Sequence, residues 1–533
     1  MISIFSVLLS LAFAAGNSEA PQGGQMVLNI QGRVEPPTIH PISSLDVGAS
    51  QIHDYTLATL LTKDPQTFEW KPYLAEKWEI SKDGKIFTFW LRNNLTFHDG
   101  KPLTAEDVKF TFDAIMDSKY DSSHLRPYYE GISKVEIVDP LQVKFFTKEV
   151  YFLNFDFAAG LATLLNHVYS DLEKSKKMTK EIVGSGPYRL DKFEKGQKII
   201  LKKYSNWFGK TVPELKGIYN LDTLVFRFIK DEKEYLKMLN SGELDFDELS
   251  PEQYMTKTEG GNWGKKVFKF KVENKVPKGY RFIAWNLENP LFKEKNVRLA
   301  LAYLMNRAEM IKKFRFDLSA PATGPSDYFS DYASPSVAPI VFDEAKAQEL
   351  LAKEGWKDSD KDGTLDKIVN GKKMDFRFVL IQSNKEYEKY LMVYKADLKK
   401  AGIEMEVKYL EWPLFIKLVD DGKFDALSLA RMTTVEFDPK PFWHSAGTKK
   451  GGSNFSHYRS PEVDRLIDQA RAEMDRKKRI QLLRKVYEKI AADVPYVFMF
   501  NEKYSFYALS NRIGQPASTF DYSLGTEYWW VKP

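Results

Sequence analysis

The chain has 533 residues, of which 43% are hydrophobic and 14% aromatic, so it can form sizeable cores and is not an intrinsically disordered protein. Its 78 Lys and Arg residues are balanced by 73 Asp and Glu residues, without the concentrated basic patch that indicates nucleic-acid binding. The sequence contains no cysteine, which excludes disulfides, cysteine-ligated zinc, thiolate catalysis and lipid attachment through a cysteine.

The first residues have the pattern of an export signal. Residues 4–15 are apolar but fall short of the roughly 20 residues that a membrane span needs. Ala12-Phe13-Ala14 supplies a small-x-small cleavage pattern, although no Lys or Arg precedes the apolar stretch. A buried amino-terminal helix is the alternative. We predict a signal peptide with its exit segment over residues 1–21, and a mature protein that is periplasmic, soluble and not membrane-spanning.

The first part of the chain contains strand, turn and helix signals in close succession. β-branched and aromatic residues predict a strand at 85–92 that continues over 95–99, followed by a turn at 99–102. Thr104 is the predicted cap of a helix, with acids in the first turn where the helix dipole favours them. The segment Gly184-Ser185-Gly186-Pro187 has neither the Lys-Ser/Thr ending of a phosphate loop nor the third glycine of a dinucleotide turn, so we interpret it as a chain crossover.

The carboxyl-terminal half has the alternation of an α/β protein. Helices are predicted at 343–353, 387–400 and 413–419, and strands at 403–409 and 424–429. The order of the last strand–helix–strand group is that of a βαβ unit, which predicts a parallel pair with a right-handed crossover. Ser460 followed by Pro461 predicts the start of a further long helix.

Several motifs, in order along the chain, resemble the family 5 extracellular solute-binding proteins, the oligopeptide-, dipeptide- and nickel-binding receptors of ABC importers. The most specific block lies within residues 72–108 and comprises Pro72-Tyr73-Leu74-Ala75, Trp78, Asp83-Gly84-Lys85, Phe89, Leu91-Arg92 and the run from Phe97-His98-Asp99-Gly100-Lys101-Pro102 to Val108. Later matches include Val183-Gly184-Ser185-Gly186-Pro187-Tyr188, Ser241-Gly242-Glu243-Leu244-Asp245, Asn296-Val297-Arg298, Ala401-Gly402-Ile403, Glu411-Trp412, Asp438-Pro439 and Pro461-Glu462-Val463-Asp464.

The resemblance implies an α/β, two-lobed periplasmic-binding-protein fold of type II, in its large three-domain variant, with mixed sheets flanked by helices. Domain I is then discontinuous and comprises residues 22–64, 186–280 and 502–533. Domain II comprises residues 65–185 and packs on domain I, and domain III comprises residues 281–501 and forms the opposite lobe. Two crossing strands join the lobes, which close on a ligand between them.

The function that the resemblance implies is capture of a small solute for import. The expected ligand is an oligopeptide; a nickel or metal chelate, an oligosaccharide or an opine is the alternative within the family. The expected partners are the ABC permease subunits of the inner membrane, and we expect a monomer without cofactor. Two other classes stay open on sequence alone, namely a cleft hydrolase that uses paired carboxylates and an envelope chaperone.

Two residues of the second lobe are candidates for the ligand pocket through the resemblance. Arg431 ends a predicted strand at the position that lines the peptide pocket of oligopeptide receptors, where a guanidinium can bind a carboxylate bidentately. A surface ion pair with Glu436 is the alternative. Trp412 belongs to a motif whose tryptophan lines the same pocket, whereas an aromatic residue after a strand is commonly part of the core.

The loop after Arg431 departs from the family pattern. Peptide receptors carry an ammonium-binding Asp four residues before the Pro of the Asp-Pro pair, and Val435 occupies that place here. Thr433 lies in the same loop, and Glu436 is adjacent to Val435 and can replace the missing acid. We therefore expect either that Glu436 binds the ligand ammonium or that the ligand has no free ammonium group.

The remaining candidate ligand-binding residues lie in two other segments. Asp46, Ser50 and His53 follow a His-Pro turn where family members place their first pocket loop; ordinary loop roles are the alternative. Trp285 and Asn286 lie on the predicted crossing strand, where they form either a pocket wall or hinge packing.

Metal sites and catalytic motifs are not expected. Asp358, Asp360, Asp362 and Gly363 imitate the first half of a calcium loop, but Val369 stands at the twelfth position, where a bidentate Glu is required. The seven histidines are scattered without metal-ligand spacing, and there is no Gly-x-Ser-x-Gly elbow. We predict no metal, no cofactor and no catalytic residue.

Overall fold

The computed structural model describes residues 20–369 and 371–533. Most of the predicted signal peptide, residues 1–19, lies outside the described residues. Within the described ranges, every helix is too short or too polar to cross a membrane.

The largest sheet has seven strands drawn from three distant parts of the chain. In spatial order these are Val267–Val272, Ser505–Ser510, Phe246–Leu249, Gln25–Asn29, Thr223–Arg227, Lys198–Lys203 and Tyr188–Glu194. The helix Glu232–Ser241 covers one face, and the helix Val47–Thr56 lies against the strand Tyr188–Glu194. Gln25–Asn29 runs parallel to both of its neighbours, and the outer pairs are antiparallel, so the sheet is mixed.

A second, antiparallel sheet of four strands shares a core with the first. Its strands, in spatial order, are Ala75–Ile80, Ile86–Leu91, Gln142–Thr147 and Ile132–Asp139. The helices of this region are Ala105–Met116, Arg126–Tyr129, Phe152–Ala159, Asn166–Tyr169 and Leu172–Ser175. One continuous cluster of buried side chains runs from this sheet to the seven-stranded sheet, so the two form one lobe.

A third sheet, of six strands, forms the second lobe. Its strands are Ser319–Pro321, Tyr496–Glu502, Tyr280–Trp285, Ala426–Arg431, Arg377–Gln382 and Glu404–Tyr409. Its helices are Lys295–Tyr303, Arg307–Arg315, Glu344–Lys353, Glu388–Lys400, Trp412–Asp420, Lys440–Trp443, Pro461–Ala472 and Arg476–Asp493. Two separate hydrophobic clusters contain the buried residues of its two faces, as expected for a sheet with helices on both sides.

Three short two-stranded sheets complete the fold. They pair Leu61–Lys63 with Trp70–Pro72, Asp366–Val369 with Lys372–Asp375, and Ile513–Gly514 with Trp530–Val531. The chain passes between the lobes twice, after Val267–Val272 and after Tyr496–Glu502. The α/β two-lobed fold is thus as predicted. Because each of the three larger sheets is drawn from one predicted set of segments, we propose the same division: 22–64, 186–280 and 502–533; 65–185; and 281–501.

The predicted helix caps are confirmed, and the predicted strands are confirmed in part. Thr104 caps the helix Ala105–Met116 in a reciprocal capping box with Asp107, and the Ser460 side chain accepts from the Val463 N–H at the start of Pro461–Ala472. The predicted strand at 95–99 is wrong, because its hydrogen bonds close a tight turn with a single bridge between Thr96 and Pro102. The predicted parallel pair in the βαβ unit is also wrong in detail: Glu404–Tyr409 and Ala426–Arg431 are parallel, but Arg377–Gln382 lies between them.

The glycine-rich segment at 184–187 is a close crossing of two backbones. A Cβ on Gly184 would lie 2.0 Å from the Thr56 carbonyl oxygen, and one on Gly186 would lie 2.6 Å from the Thr56 carbonyl carbon. The Gly186 N–H donates to that carbonyl oxygen at 2.9 Å. His98 bonds both glycines, with Nδ1 accepting from the Gly184 N–H and Nε2 donating to the Gly186 carbonyl. The segment is therefore a packed crossover without a phosphate cradle.

Candidate functional site

One edge of the six-stranded sheet faces the first lobe. Tyr280, the first residue of its strand, pairs with Arg431, the last residue of the neighbouring strand, and also with Asn501. Both chain crossings enter the sheet next to these residues. The carboxyl ends of the three parallel strands, at Gln382, Tyr409 and Arg431, therefore meet at the edge that borders the cleft. Open α/β sheets bind ligands at such edges.

Arg431 presents an unneutralised positive charge at this edge. Its guanidinium carbon lies 3.5 Å from the centre of the Phe442 ring and 6.0 Å from the rings of Phe282 and Phe455. Its Nε is buried without a hydrogen-bond partner, and no described residue forms an ion pair with it. The alternative of an ion pair with Glu436 is wrong, because that carboxylate binds two other arginines. An aromatic cage around an unpaired guanidinium suits a ligand carboxylate.

Exposed apolar side chains lie in the segments that follow the carboxyl ends of these strands. Trp412 begins the helix Trp412–Asp420, is 53% exposed and stacks on Phe415 with ring centres 5.6 Å apart. Met432, next to Arg431, is 75% exposed. Thr433 follows with its Oγ1 buried and without a hydrogen-bond partner. Exposed large apolar groups at one cleft edge are typical of a surface that a ligand covers.

Glu436 does not match its expected role as the ammonium-binding group. Its carboxylate binds Arg476 Nε at 2.5 Å and Arg479 Nη2 at 3.0 Å, and it accepts from the Tyr332 hydroxyl. Burial alone would raise the pKa of Glu436, but the two arginines and Tyr332 outweigh it and lower the pKa. This carboxylate is 8% exposed and already neutralised, so it has no capacity left for a ligand cation. Val435, half-buried and apolar, supplies none either.

The first-lobe candidates have mixed roles. Asp46 caps the helix Val47–Thr56, accepting from the Gly48 N–H at 2.8 Å and the Ala49 N–H at 3.4 Å. His53 Nε2 donates to the Ile39 carbonyl at 2.9 Å, and burial lowers its pKa. Ser50 is exposed, and its hydroxyl donates to the Asp46 carbonyl at 3.3 Å. Asp46 and His53 are thus committed to the local fold, whereas Ser50 stays accessible.

Trp285 and Asn286 form packing and turn contacts in the second lobe. Trp285 is fully buried and stacks on Phe292 with ring centres 4.8 Å apart. Asn286 donates to the Phe424 carbonyl at 2.9 Å and accepts from the Glu288 N–H. The hinge-packing alternative therefore describes both residues better than a pocket wall, and we leave them out of the proposed site.

Three carboxylates of the first lobe escaped the sequence reasoning. Asp54 is exposed to solvent, yet the surrounding protein raises the pKa of its carboxyl to about 6. Glu248 is likewise exposed with a raised pKa, and Glu527 is partly exposed with a pKa raised by burial. A group that is accessible but surrounded by protein lies in a concavity. Asp54 could have been found, because residues 46, 50 and 54 follow the spacing of one helix face.

Direct contacts already join the two lobes. The Tyr151 hydroxyl donates to Asp438 at 2.9 Å, and Arg471 lies 4.2 Å from the Tyr151 ring centre while pairing with Asp438 at 3.3 Å. Further along, Tyr522 donates to Asp331 at 2.5 Å. These contacts bring the two edges of the cleft together in the described structure. Closure is therefore compatible with the side chains that line the seam.

The Asp-rich loop brings several carboxylates together. Oxygens of Asp358, Asp360 and Asp366 lie within 4.8 Å of one another. Lys373 Nζ contacts Asp360 and lies 3.8 Å from Asp366 and 3.3 Å from Asp375. A lysine ammonium thus supplies positive charge to this cluster, and Asp366 also accepts from Ser359. The expectation that the loop needs no metal stays a prediction.

The chain is similar to known proteins over its whole length. The family model described as bacterial extracellular solute-binding proteins, family 5 Middle, matches residues 69–454. The oligopeptide-binding protein AppA of Bacillus subtilis (strain 168) is 28% identical over 561 residues, covering 100% of this chain and 98% of that protein. The dipeptide-binding protein of Escherichia coli (strain K12) is 27% identical over 451 residues, covering 78% of each chain.

The solved structures agree with this result. The structure of the Bacillus subtilis AppA protein in complex with a nonapeptide has a TM-score of 0.71 and 26% identity, covering 97% of this chain and 100% of that one. The match spans both lobes and the cleft between them. On the family model and these relatives, the chain belongs to the family 5 bacterial extracellular solute-binding proteins.

Proposed function

We propose that this protein is the receptor of an ABC importer and captures an oligopeptide between its two lobes. The observation that carries the proposal is Arg431, a guanidinium caged by aromatic rings at the cleft edge with no acid to neutralise it among the described residues. Leaving such a charge unpaired is costly unless a ligand carboxylate completes it. The AppA relative named for oligopeptide binding aligns over the full chain and supports the same ligand class.

The first lobe offers the complementary charge. Asp54 takes over the role that sequence reasoning gave to Glu436, because it is accessible and forms no ion pair among the described residues. A peptide is a zwitterion, so an acidic first lobe and a basic second lobe orient its ammonium and carboxylate towards opposite walls. Enclosure between lobes strengthens both contacts by excluding water.

The setting of this activity follows from the family. Family 5 proteins are described as extracellular, and the apolar residues 4–15 with Ala12-Phe13-Ala14 support export to the periplasm. The partners are then permease subunits in the inner membrane, which recognise the closed conformation of the ligand-bound receptor. We propose that the protein works as a monomeric binding protein and performs no chemistry on its cargo.

Native mass spectrometry of the purified protein, followed by calorimetry with tetra-alanine in free, N-acetylated and C-amidated forms, tests the proposal. We expect Arg431→Leu to weaken binding of the free peptide by about tenfold or more, since hydrogen bonds to charged groups are each worth about 1.5–3 kcal/mol. Asp54→Asn should remove the preference for the free over the acetylated peptide. Arg465→Leu, an exposed change on the helix Pro461–Ala472, is the control.

Two results would count against the proposal. If the wild-type protein binds no peptide and retains a non-peptide solute through purification, the ligand class is wrong. If Arg431→Leu and its control bind the free peptide equally well, the guanidinium has no role in recognition.

A further inference from the structure

Three polar residues lie on the face of the six-stranded sheet opposite to Arg431. Ile381 pairs with Leu427 in parallel register, so Gln382 lies beside Ser428 on the neighbouring strand. Arg281 pairs with Ala430 on the other side of that strand. Because side chains alternate along a strand, Arg281, Gln382 and Ser428 share one face, at the same cleft-facing edge.

Two of these side chains, Gln382 and Ser428, are buried and have unsatisfied polar atoms. Gln382 is 2% exposed and Ser428 is 4% exposed, yet Gln382 Nε2 and Ser428 Oγ have no hydrogen-bond partner among the described residues. Gln382 Oε1 accepts from the Asn384 N–H at 3.2 Å, which leaves the amide nitrogen as the free end. Leaving a buried donor unpaired costs about 1–3 kcal/mol, so two adjacent cases need an explanation.

Arg281 differs from the other buried arginines. Arg298 and Arg307 donate to backbone carbonyls, and Arg479 binds the carboxylate of Glu436. Arg281 is 9% exposed and forms neither contact within the described ranges; its guanidinium carbon lies 3.1 Å from the centre of the half-buried Tyr387 ring.

No carboxylate of the described residues forms an ion pair with Arg281. Glu386, next to Tyr387, is exposed and forms no ion pair with Arg281 in the part of the chain that the structure describes. Burial lowers the pKa of Arg281 although Tyr387 and Glu386 act in the opposite direction, and a guanidinium stays charged at neutral pH.

The three groups share one chemical property. A guanidinium, an amide N–H and a hydroxyl can all donate, and Gln382 Nε2 and Ser428 Oγ have no acceptor among the described residues, so one acceptor with more than one lone-pair site can serve all three groups. A carboxylate carries two oxygens and a negative charge and satisfies all three. A single water would satisfy the donors but would leave the charge of Arg281 uncompensated.

We infer that Arg281, Gln382 and Ser428 form a second carboxylate subsite of the cleft, separate from Arg431. The inference rests on the proposed peptide function and makes it more specific. Two carboxylate sites on opposite faces of one sheet edge fit a peptide that carries an acidic side chain as well as its terminal carboxylate. Which of the two carboxylates enters the new subsite is left to the experiment.

The first test uses acetate, the simplest carboxylate, so that it does not depend on the peptide proposal. We expect acetate, compared with chloride at equal ionic strength, to raise the melting temperature of the wild-type protein in a concentration-dependent way. Ser428→Ala and Gln382→Leu should reduce this rise, and Ser133→Ala on the four-stranded sheet should keep it. Gln382→Leu removes an unpaired buried donor but also the acceptor of the Asn384 N–H, so its stability in chloride should stay close to that of the wild type.

The second test uses calorimetry with Ala-Ala-Glu-Ala, Ala-Ala-Gln-Ala and the C-terminal amide of each. We expect Ser428→Ala and Gln382→Leu each to lower the affinity of the preferred acid by about tenfold while leaving the matching neutral peptide within about twofold. If the variants lose only the preference for Ala-Ala-Glu-Ala over Ala-Ala-Gln-Ala, the subsite binds the acidic side chain. If they lose only the preference for the free peptide over its C-terminal amide, the subsite binds the terminal carboxylate.

The outcomes separate the two proposals. If Ser428→Ala and Gln382→Leu bind peptide as well as Ser133→Ala does and respond to acetate like the wild type, the subsite proposal is wrong. The proposal of a peptide receptor would not be affected. An acetate response that is lost in both variants, without any peptide binding to the wild type, would support the subsite and overturn the peptide ligand.

Discussion

Replacing Glu436 by Gln distinguishes a structural role from a ligand-binding role. The substitution removes the negative charge that Arg476, Arg479 and Tyr332 share but keeps the shape of the side chain. Arg479 is 5% exposed at its side chain and Glu436 is 8% exposed, so the variant leaves a buried guanidinium without its counter-charge. We expect a large loss of stability and little change in ligand affinity.

The magnitude follows from the burial of the pair. Removing one partner of a buried ion pair costs about 3–5 kcal/mol. The residual contacts of Arg476 with Asp331 and of Arg479 with the Glu473 carbonyl place the expected loss at the lower end, about 3 kcal/mol, or more than a hundredfold in the unfolding equilibrium. The control is Glu462→Gln, whose partner Lys489 is 47% exposed; an exposed pair contributes about 0–1 kcal/mol.

Urea unfolding followed by circular dichroism measures the loss, and its pH dependence checks the cause. Because the folded pKa of Glu436 is lowered, its contribution is present above the unfolded pKa, near 4.5, and is lost as pH falls through the folded value. The variant should therefore lose less stability on acidification than the wild type. If Glu436→Gln unfolds at the wild-type urea concentration but no longer binds peptide, the carboxylate serves the ligand and our assignment is wrong.

Two further predictions concern closure and acid sensitivity. Tyr151→Phe removes the hydroxyl that donates to Asp438, so small-angle scattering should give a larger radius of gyration for the ligand-free variant than for the wild type; identical profiles would show that this contact does not hold the lobes. Burial lowers the pKa of His98 to about 4, so the folded state favours the neutral ring and stability falls as pH decreases from about 6.5 towards 4. The melting temperature of His98→Asn should change less over this interval, and an equal change would refute the assignment.

The fold was largely predictable because its signals are local. Caps such as Thr104 and Ser460 and the alternation of strands depend on neighbours within a few residues, and the structure has them as expected. The strand order of the βαβ unit was not predictable in the same way. Arg377–Gln382 enters between two strands that are consecutive in the chain, which only the packing of the complete sheet determines.

The site was less predictable because burial and pairing are properties of the whole molecule. Glu436 and Arg431 looked equally accessible in sequence, and a pairing between them was a reasonable alternative. The helix Arg476–Asp493, some 40 residues further on, supplies the partners of Glu436 and thereby leaves Arg431 unpaired. The proposed role of Arg281 was hidden for the same reason, since its position beside Gln382 and Ser428 becomes apparent only when the neighbouring strands are in place.

The position of the strand Ser505–Ser510 constrains the order in which the protein can form. This strand lies inside the seven-stranded sheet, between Val267–Val272 and Phe246–Leu249, although it is almost the last part of the chain to be synthesised. The six strands of the other lobe are complete by Glu502. During synthesis the second lobe can therefore assemble first, while the amino-terminal strands remain unpaired until the carboxyl terminus emerges.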